Sequence, residues 1–169
     1  MGMHRNSSPG DVSVPFGRLV DESLPGRRGE LAWRALLQAH ATLMRQLDTD
    51  LREDTGLRLA DFDVLAQLAS AGGELRMTEL AARTLLSRSG LTRRVARLVD
   101  EGLVCRANAA GDGRGVLVAL TDAGIARLTE TVPVHLQGVS KRFVERLDEQ
   151  ELAVLETALG KVIVDCTFG

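Results

Sequence analysis

A single short segment of the chain gathers the side chains best suited to binding an anion. The stretch SRSGLTRRVARLVDEGLV, residues 87–104, has no acidic residue before Asp100. It carries four arginines, which are Arg88, Arg93, Arg94 and Arg97. A guanidinium group is a planar fork of hydrogen-bond donors that matches a phosphate group and the edge of guanine. The segment therefore indicates binding to nucleic acid, and a solvated charged surface is the alternative.

The distribution of charge along the chain favours nucleic-acid binding. The 169 residues have a net charge of −2. Between Arg76 and Arg114, however, there are eight arginines and only four acidic residues, whereas the remainder holds 13 basic and 19 acidic residues. A basic segment in an otherwise acidic chain is typical of a localised anion-binding surface.

The remaining composition narrows the class of protein. Hydrophobic residues make up 44% of the chain, as in globular proteins, and no apolar run reaches the ~18–20 residues that span a bilayer. Because we find no secretion signal, we expect a cytoplasmic protein without membrane contact. Cys105 and Cys166 lack CxxC spacing, and His4, His40 and His135 lack metal-ligand spacing, so neither a metal nor a cofactor is predicted. No catalytic constellation is evident either, so we do not expect an enzyme.

Hydrophobic spacing predicts a mainly α protein. Apolar residues recur at three- and four-residue steps over 30–54, which predicts a long amphipathic helix. A second helix covers 60–71 and stops at Gly72-Gly73, and a third follows Thr78 as its N-cap. The arginine-rich segment forms a fourth helix, and this short helix, tight connection and following helix are what a helix-turn-helix requires.

After these helices the pattern changes to that of β-strands. The runs 103–107 and 115–120 have β-type composition, and the segment NAAGDGR between them is rich in glycine, asparagine and aspartate. This combination predicts a β-hairpin. A helix-turn-helix followed directly by a hairpin is a winged helix-turn-helix.

The helices outside the winged segment have broad aliphatic stripes. Thr121 is the predicted N-cap of the helix after the wing, Pro133 starts or kinks the next segment, and Asp148 with Glu151 forms a capping box for the last helix. A two-fold homodimer buries such stripes most simply, and coverage of the winged helix within one chain is the alternative.

These patterns divide the chain into three predicted regions. Residues 1–28 form a flexible arm, and 61–120 form the winged helix-turn-helix DNA-binding domain. The N- and C-terminal helices, over 29–60 and 121–169, form the dimerisation body.

Two stretches in this order resemble the MarR family of transcription regulators. They are MTELAARTLLSRSGLTRRVARLVDEGLVCR, residues 77–106, and GDGRGVLVALTDAG, residues 111–124. In the family the first is the helix-turn-helix with the first wing strand, and the second is the wing tip with its Asp-x-Arg and the start of the next helix. The resemblance implies a dimer with a helical body and two winged lobes. It also implies a roughly palindromic operator and, usually, a repressor that a ligand relieves.

The outward face of the fourth helix is the predicted DNA-reading surface, because the major groove admits one α-helix. On the helical wheel this face holds Ser89, Thr92, Arg93 and Arg97. We expect Arg93 to read a base, and Ser89 and Thr92 to read bases or hold the register. Arg88 and the Thr78 hydroxyl are expected to contact phosphates.

At the wing, Arg114 is predicted to enter the minor groove, where narrow A·T-rich segments attract arginine. Asp112 is expected to orient Arg114 by a charge-assisted contact, and the alternative is a salt bridge without DNA contact. Two lobes related by a two-fold axis meet half-sites about one helical turn apart, so we expect double-stranded DNA with an inverted-repeat operator. Binding should weaken steeply with salt.

Arg94 lies at the edge of the apolar stripe, and two roles are open to it. In the urate-responsive branch of the family, which this pattern resembles in part, an arginine here acts with residues that match Arg106 and Asp63. That resemblance implies a small anionic aromatic ligand such as urate. The alternative is an ion pair of Arg94 with Asp63 or another carboxylate at a buried seam. Further candidate residues of a ligand site are Trp33, His40 and Phe62.

Two other functions are weighed against ligand-controlled DNA binding. The peroxide-sensing branch of the family has its reactive cysteine on the first long helix, where this chain has none. Cys105 is expected to be a small buried hydrophobic residue, so redox control is not predicted. The competing function is that of a winged-helix module for protein–protein contact without specific DNA binding.

Overall fold

The structure is a computed structural model that describes residues 23, 26–84, 86–108 and 115–168. This part of the chain is mainly helical with one small antiparallel sheet, which confirms the predicted fold class. Contacts divide the chain into two compact units, residues 1–42 and 43–169.

The long helix predicted for 30–54 is confirmed as α1, Arg27–Thr55. Gly56 follows it with φ of 73°, the left-handed conformation that glycine adopts readily at the end of a helix. In the second unit, α1 buries Leu47 and Leu51.

Three further helices build the centre of the second unit. They are α2 (Leu59–Ser70), α3 (Met77–Arg83) and α4 (Arg88–Asp100). Val64, Leu65 and Leu68 of α2 lie in one core with Leu91 and Val95 of α4. Burial of one such side chain stabilises a fold by about 1.5–3 kcal/mol, so this seam determines which face of α4 remains in solvent.

The sequence pattern does not reveal a short strand before α3. This strand, β1 (Glu74–Arg76), pairs with a later strand and holds the chain extended up to Arg76. The helix α3 therefore begins at Met77, and the Arg76 N–H donates to the Glu79 carboxylate at 2.9 Å. The predicted N-cap role of Thr78 is wrong, because Thr78 lies inside the first turn.

The predicted hairpin is confirmed as the wing. The strands β2 (Val104–Asn108) and β3 (Val116–Leu120) pair antiparallel, with Val104 opposite Leu120. The strand β1 pairs with the other edge of β3, so the strand order is β1-β3-β2. The tip between β2 and β3, residues 109–114, lies outside the described residues.

The helix after the wing, α5, covers Asp122–Arg142 and runs through Pro133. The prediction that a new segment starts at this proline is therefore wrong. Pro133 is exposed, whereas Leu128, Thr131 and Gly138 of the same helix are buried. Burial of this face outweighs the one backbone hydrogen bond that a proline removes.

Two predicted helix caps are confirmed. The Thr121 hydroxyl oxygen accepts from the Gly124 N–H at 3.0 Å at the start of α5. The last helix, α6 (Glu149–Phe168), begins with a reciprocal capping box. Its two bonds run from the Asp148 N–H to the Glu151 carboxylate at 2.9 Å and from the Glu151 N–H to the Asp148 carboxylate at 2.8 Å. Within the described residues, every helix is too short or too polar to cross a membrane.

Candidate nucleic-acid interface

The exposed side of α4 carries the predicted DNA-reading residues. Leu91, Val95 and Leu98 are fully buried on the opposite side, so the helix presents one face to solvent. Ser87 caps the helix, because its hydroxyl oxygen accepts from the Gly90 N–H at 3.2 Å. The exposed residues of the helix include Arg88, Ser89, Thr92, Arg93 and Arg97, and Asp100 is exposed at its C-terminal end.

Arg88 and Arg93 form no ion pair within the described residues. The Thr92 hydroxyl donates to the Arg88 carbonyl oxygen at 2.9 Å, and its own oxygen can still accept a hydrogen bond. The hydroxyl oxygens of Ser89 and Ser87 lie 3.4 Å apart. The two arginines can therefore donate to phosphates or to the acceptor edges of bases, and the hydroxyls can adjust to either.

Arg94 and Arg97 share a buried carboxylate on α2. The Nη1 atom of Arg94 lies 3.0 Å from Oδ1 of Asp61, and the Arg97 guanidinium contacts Oδ2. The side chain of Asp61 is fully buried, whereas those of Arg94 and Arg97 are 27% and 43% exposed. Arg97 also lies 3.4 Å from the Glu101 carboxylate of its own helix. The ion pair at a buried seam, the alternative role of Arg94, is thus present with Asp61 as the partner.

The sequence contains a signal for Asp61 that our prediction did not use. Asp61 precedes Leu65 by four residues and Leu68 by seven, and both leucines are fully buried. It therefore occupies the apolar stripe of α2. A carboxylate on such a stripe needs a cationic partner, and the adjacent arginine-rich helix is the obvious source.

Two open cavities flank α4. The larger, of about 420 Å³, is lined by Arg58, Leu86, Ser87, Gly90, Arg93, Arg94 and Arg97. Arg94 and Arg97 in this wall are paired with Asp61, whereas Arg58 and Arg93 have no acidic partner among the described residues and can attract an anion. The smaller, of about 180 Å³, lies between α3 and α4 and is lined in part by Thr78 and Arg88, the two predicted phosphate contacts. Thr78 is exposed, so its hydroxyl can reach a phosphate that binds in this groove.

The three residues of the predicted urate-type site have different partners. Arg94 pairs with the buried carboxylate of α2. The Arg106 guanidinium donates to the Thr92 carbonyl oxygen at 3.4 Å, and the Asp63 carboxylate accepts from the Gln67 side chain at 3.3 Å. The ion pair of Arg94 is therefore separate from the hydrogen bonds of the other two.

The aromatic residues of the predicted ligand site differ in exposure. Phe62 is buried, and its ring centroid lies 4.5 Å from that of His135. Burial lowers the pKa of His135, and the charge of Asp63 opposes this shift. Trp33 and His40 are exposed on the part of α1 that belongs to the first unit.

The remaining candidates lie on the wing. Arg114 and Asp112 fall in the tip, outside the described residues. Cys105 is exposed, so the expectation of a buried cysteine is wrong. The strand β2 is an edge strand in which Val104 takes the buried position, and the next side chain points to the opposite face. Among the residues that the structure describes, no three His, Cys, Asp or Glu side chains meet as a possible metal site.

Comparisons with known proteins agree on one family. A sequence profile of the MarR family matches residues 55–115. An uncharacterised HTH-type transcriptional regulator of Bacillus cereus is 30% identical over 134 residues, which cover 79% of this chain and 88% of the relative.

Two solved structures from Streptomyces coelicolor share the fold. The MarR-family regulator AbsC superposes with a TM-score of 0.77 at 28% identity, over 86% of this chain and 99% of AbsC. A second MarR-family regulator, solved in complex with DNA, also gives a TM-score of 0.77. It is 31% identical over 86% of this chain and 95% of its own length.

Proposed function

Since the chain belongs to the MarR family of transcriptional regulators, we propose that it represses transcription by binding an inverted-repeat operator as a homodimer. The observation that carries the proposal is the exposed side of α4, where Arg88 and Arg93 have no acidic partner among the described residues. The similarity to a regulator that was solved in complex with DNA supports DNA binding by this chain.

The polar residues of the proposed surface other than Arg97 each have a role in this proposal. Arg93 reads a base edge in the major groove, and Ser89 and Thr92 read bases or hold the register. Arg88 and Thr78 bind phosphate, since they line the same groove between α3 and α4. At the wing tip, Arg114 enters the minor groove and Asp112 orients it.

The proposed homodimer rests on apolar surface that the chain leaves in solvent. Large hydrophobic side chains are exposed on α1 and α6; they include Leu31, Trp33, Leu37, Val154, Val162 and Val164. Single exposed apolar residues are ordinary, but a row of them along a long helix marks an interaction surface, and α1 and α6 each carry one. A second copy supplies the same rows, and two-fold pairing places two winged lobes on two half-sites.

A fluorescence-polarisation titration tests operator binding directly. The purified protein is titrated against a labelled inverted-repeat fragment from its own upstream region and against a scrambled fragment, each at two salt concentrations. The proposal expects tighter binding to the inverted repeat and a steep loss of affinity with salt. Equal binding to both fragments would favour a non-specific architectural role, and no binding at low salt would favour a protein-interaction module.

An anionic aromatic ligand is the proposed relieving signal. The cavity of about 420 Å³ beside α4 supports this assignment, because Arg58 and Arg93 in its wall have no acidic partner among the described residues. A ligand held there competes with DNA for Arg93. Calorimetric titration of the protein with urate and related purines is expected to give heat, and the same compounds are expected to release the operator. No heat with any of them would reject this class of ligand.

A further inference from the structure

The carboxylate of Asp61 sits directly behind the proposed DNA-reading face. It is fully buried on α2 and contacts two of the four arginines of α4. A buried carboxylate is tolerated only when cations and hydrogen bonds compensate the loss of water. Water cannot compensate the charge of this buried carboxylate. The carboxylate therefore holds the guanidinium groups of Arg94 and Arg97 against the protein interior.

This pairing divides the arginines of α4 into two kinds. Arg94 and Arg97 point their guanidinium groups at Asp61, and Glu101 holds Arg97 from a second side at 3.4 Å. Arg88 and Arg93 have no such restraint within the described residues. An arginine that is free to reach a phosphate adds affinity for every DNA sequence alike, because counterion release does not depend on the bases.

We propose that Asp61 is a specificity-determining residue of the DNA-binding surface, which withholds Arg94 and Arg97 from the phosphates and leaves Arg88 and Arg93 to make the contacts. This inference rests on the proposed function. It differs from the expectation that Arg97 contacts DNA, because the carboxylate that holds Arg97 is on another helix. Without Asp61, the protein binds all DNA more tightly and discriminates less.

The decisive comparison is between Asp61→Asn and Asp63→Asn. Both remove one carboxylate from α2, but Asp63 contacts Gln67 and not the arginines of α4. Affinities for the operator and for the scrambled fragment are measured between 50 and 200 mM salt. Each phosphate gained steepens the plot of log affinity against log salt by about 0.9, a further loss of about 3.5-fold over that range.

For Asp61→Asn we expect the slope of log affinity against log salt to become steeper by up to about 1.8 for each lobe. We also expect tighter binding to scrambled DNA and a lower ratio of operator to scrambled affinity. For Asp63→Asn we expect less than about a twofold change in that ratio. If the two variants behave alike while the wild type discriminates, the role of Asp61 is overturned and the proposed function stands. If the wild type itself does not discriminate, the proposed function fails and this inference falls with it.

A second pair of variants keeps the test valid if Asp61→Asn does not fold, which circular dichroism will show. In the native background, Arg97→Gln is expected to keep the wild-type salt dependence, because Arg97 does not bind phosphate. Arg88→Gln, which removes a proposed phosphate contact, is expected to reduce the slope by about 0.9 in each lobe. An equal reduction in both variants would overturn the proposal.

Discussion

Two neighbouring arginines of α4 show how much a single partner changes the use of a side chain. Arg93 and Arg94 are adjacent and chemically identical, yet Arg93 is exposed and Arg94 is partly buried against Asp61. The consecutive positions differ by about 100° around the helix, which is enough to turn one toward solvent and the other toward α2. Arginine content alone therefore does not define a DNA-binding surface; the position of each guanidinium does.

At this scale the first prediction concerns Arg93. The substitution Arg93→Ala should cost about 1–3 kcal/mol of binding free energy on the native operator, because a bidentate contact to one base is lost. In a series of operators that carry single base changes, the variant should lose its preference at one position in each half-site and keep the others.

The control is Arg146→Ala, which removes an exposed arginine from the 3₁₀ segment between α5 and α6. It should leave the base preferences unchanged. If Arg93→Ala weakens every operator by the same factor, Arg93 binds phosphate and does not read a base.

At the scale of elements, the connection between the wing and α5 depends on a glycine. Gly124 is buried in the first turn of α5, where a Cβ would collide with the Leu103 carbonyl oxygen and lie 3.3 Å from a methyl carbon of Leu120. The Thr121 hydroxyl also donates to the Gly102 carbonyl oxygen at 2.6 Å. The start of α5 is thereby held against the turn that leads into β2.

We expect Gly124→Ala to destabilise the fold by about 1–3 kcal/mol, because backbone atoms cannot move aside for the added methyl group. The melting temperature should fall by about 2–4 °C for each kcal/mol. Gly29→Ala is the matched control, since a Cβ at Gly29 has no atom within 4 Å. Equal melting temperatures for the two variants would contradict the close packing at Gly124.

The wing supplies the second prediction at the scale of elements. The substitution Arg114→Ala should weaken operator binding and remove protection of the flanking minor groove, because this arginine is the proposed contact there. Asp112→Asn should have a smaller effect, since Asp112 only orients Arg114. Hydroxyl-radical footprinting checks both variants, and an unchanged affinity and footprint for Arg114→Ala would reduce the pair to a wing-tip salt bridge.

At the scale of the whole molecule, formation of the proposed dimer depends on the exposed apolar surface of α6. Val162 is 54% exposed on this helix. We expect Val162→Glu to shift the protein from dimer to monomer, because a buried carboxylate without a partner is costly at an interface. Operator affinity should fall with it, since the two half-sites are no longer bound by one linked pair of lobes.

Thr157→Glu is the control, because Thr157 is an exposed polar residue on the same helix, about 140° around the axis from Val162. Light scattering on the purified proteins reports the mass. A wild-type protein that is monomeric at the concentrations where it binds the operator would contradict the homodimer, whatever the variants do.

The sequence by itself determined most of the elements of this protein, though not the strand β1 or the continuity of α5, and it determined where the cationic side chains lie along the chain. The long first helix, the hairpin and the caps at Thr121 and Asp148 follow from patterns that a few neighbouring residues contain. Apolar spacing also indicated that α4 buries Leu91 and Val95 and leaves Arg93 exposed. Such features are predictable because their cause is local.

The tertiary structure alone decided which partner each charge has. Asp61, and not Asp63, pairs with Arg94 across 33 positions of the chain, because the packing of α2 on α4 turns the first carboxylate inward. The exposure of Cys105 depends likewise on sheet pairing. The uninterrupted helix through Pro133 depends on burial of its opposite side. Contacts between distant segments depend on how whole elements pack. The place of Asp61 on the apolar stripe of α2 indicates that it needs a cation, but not which arginines supply it.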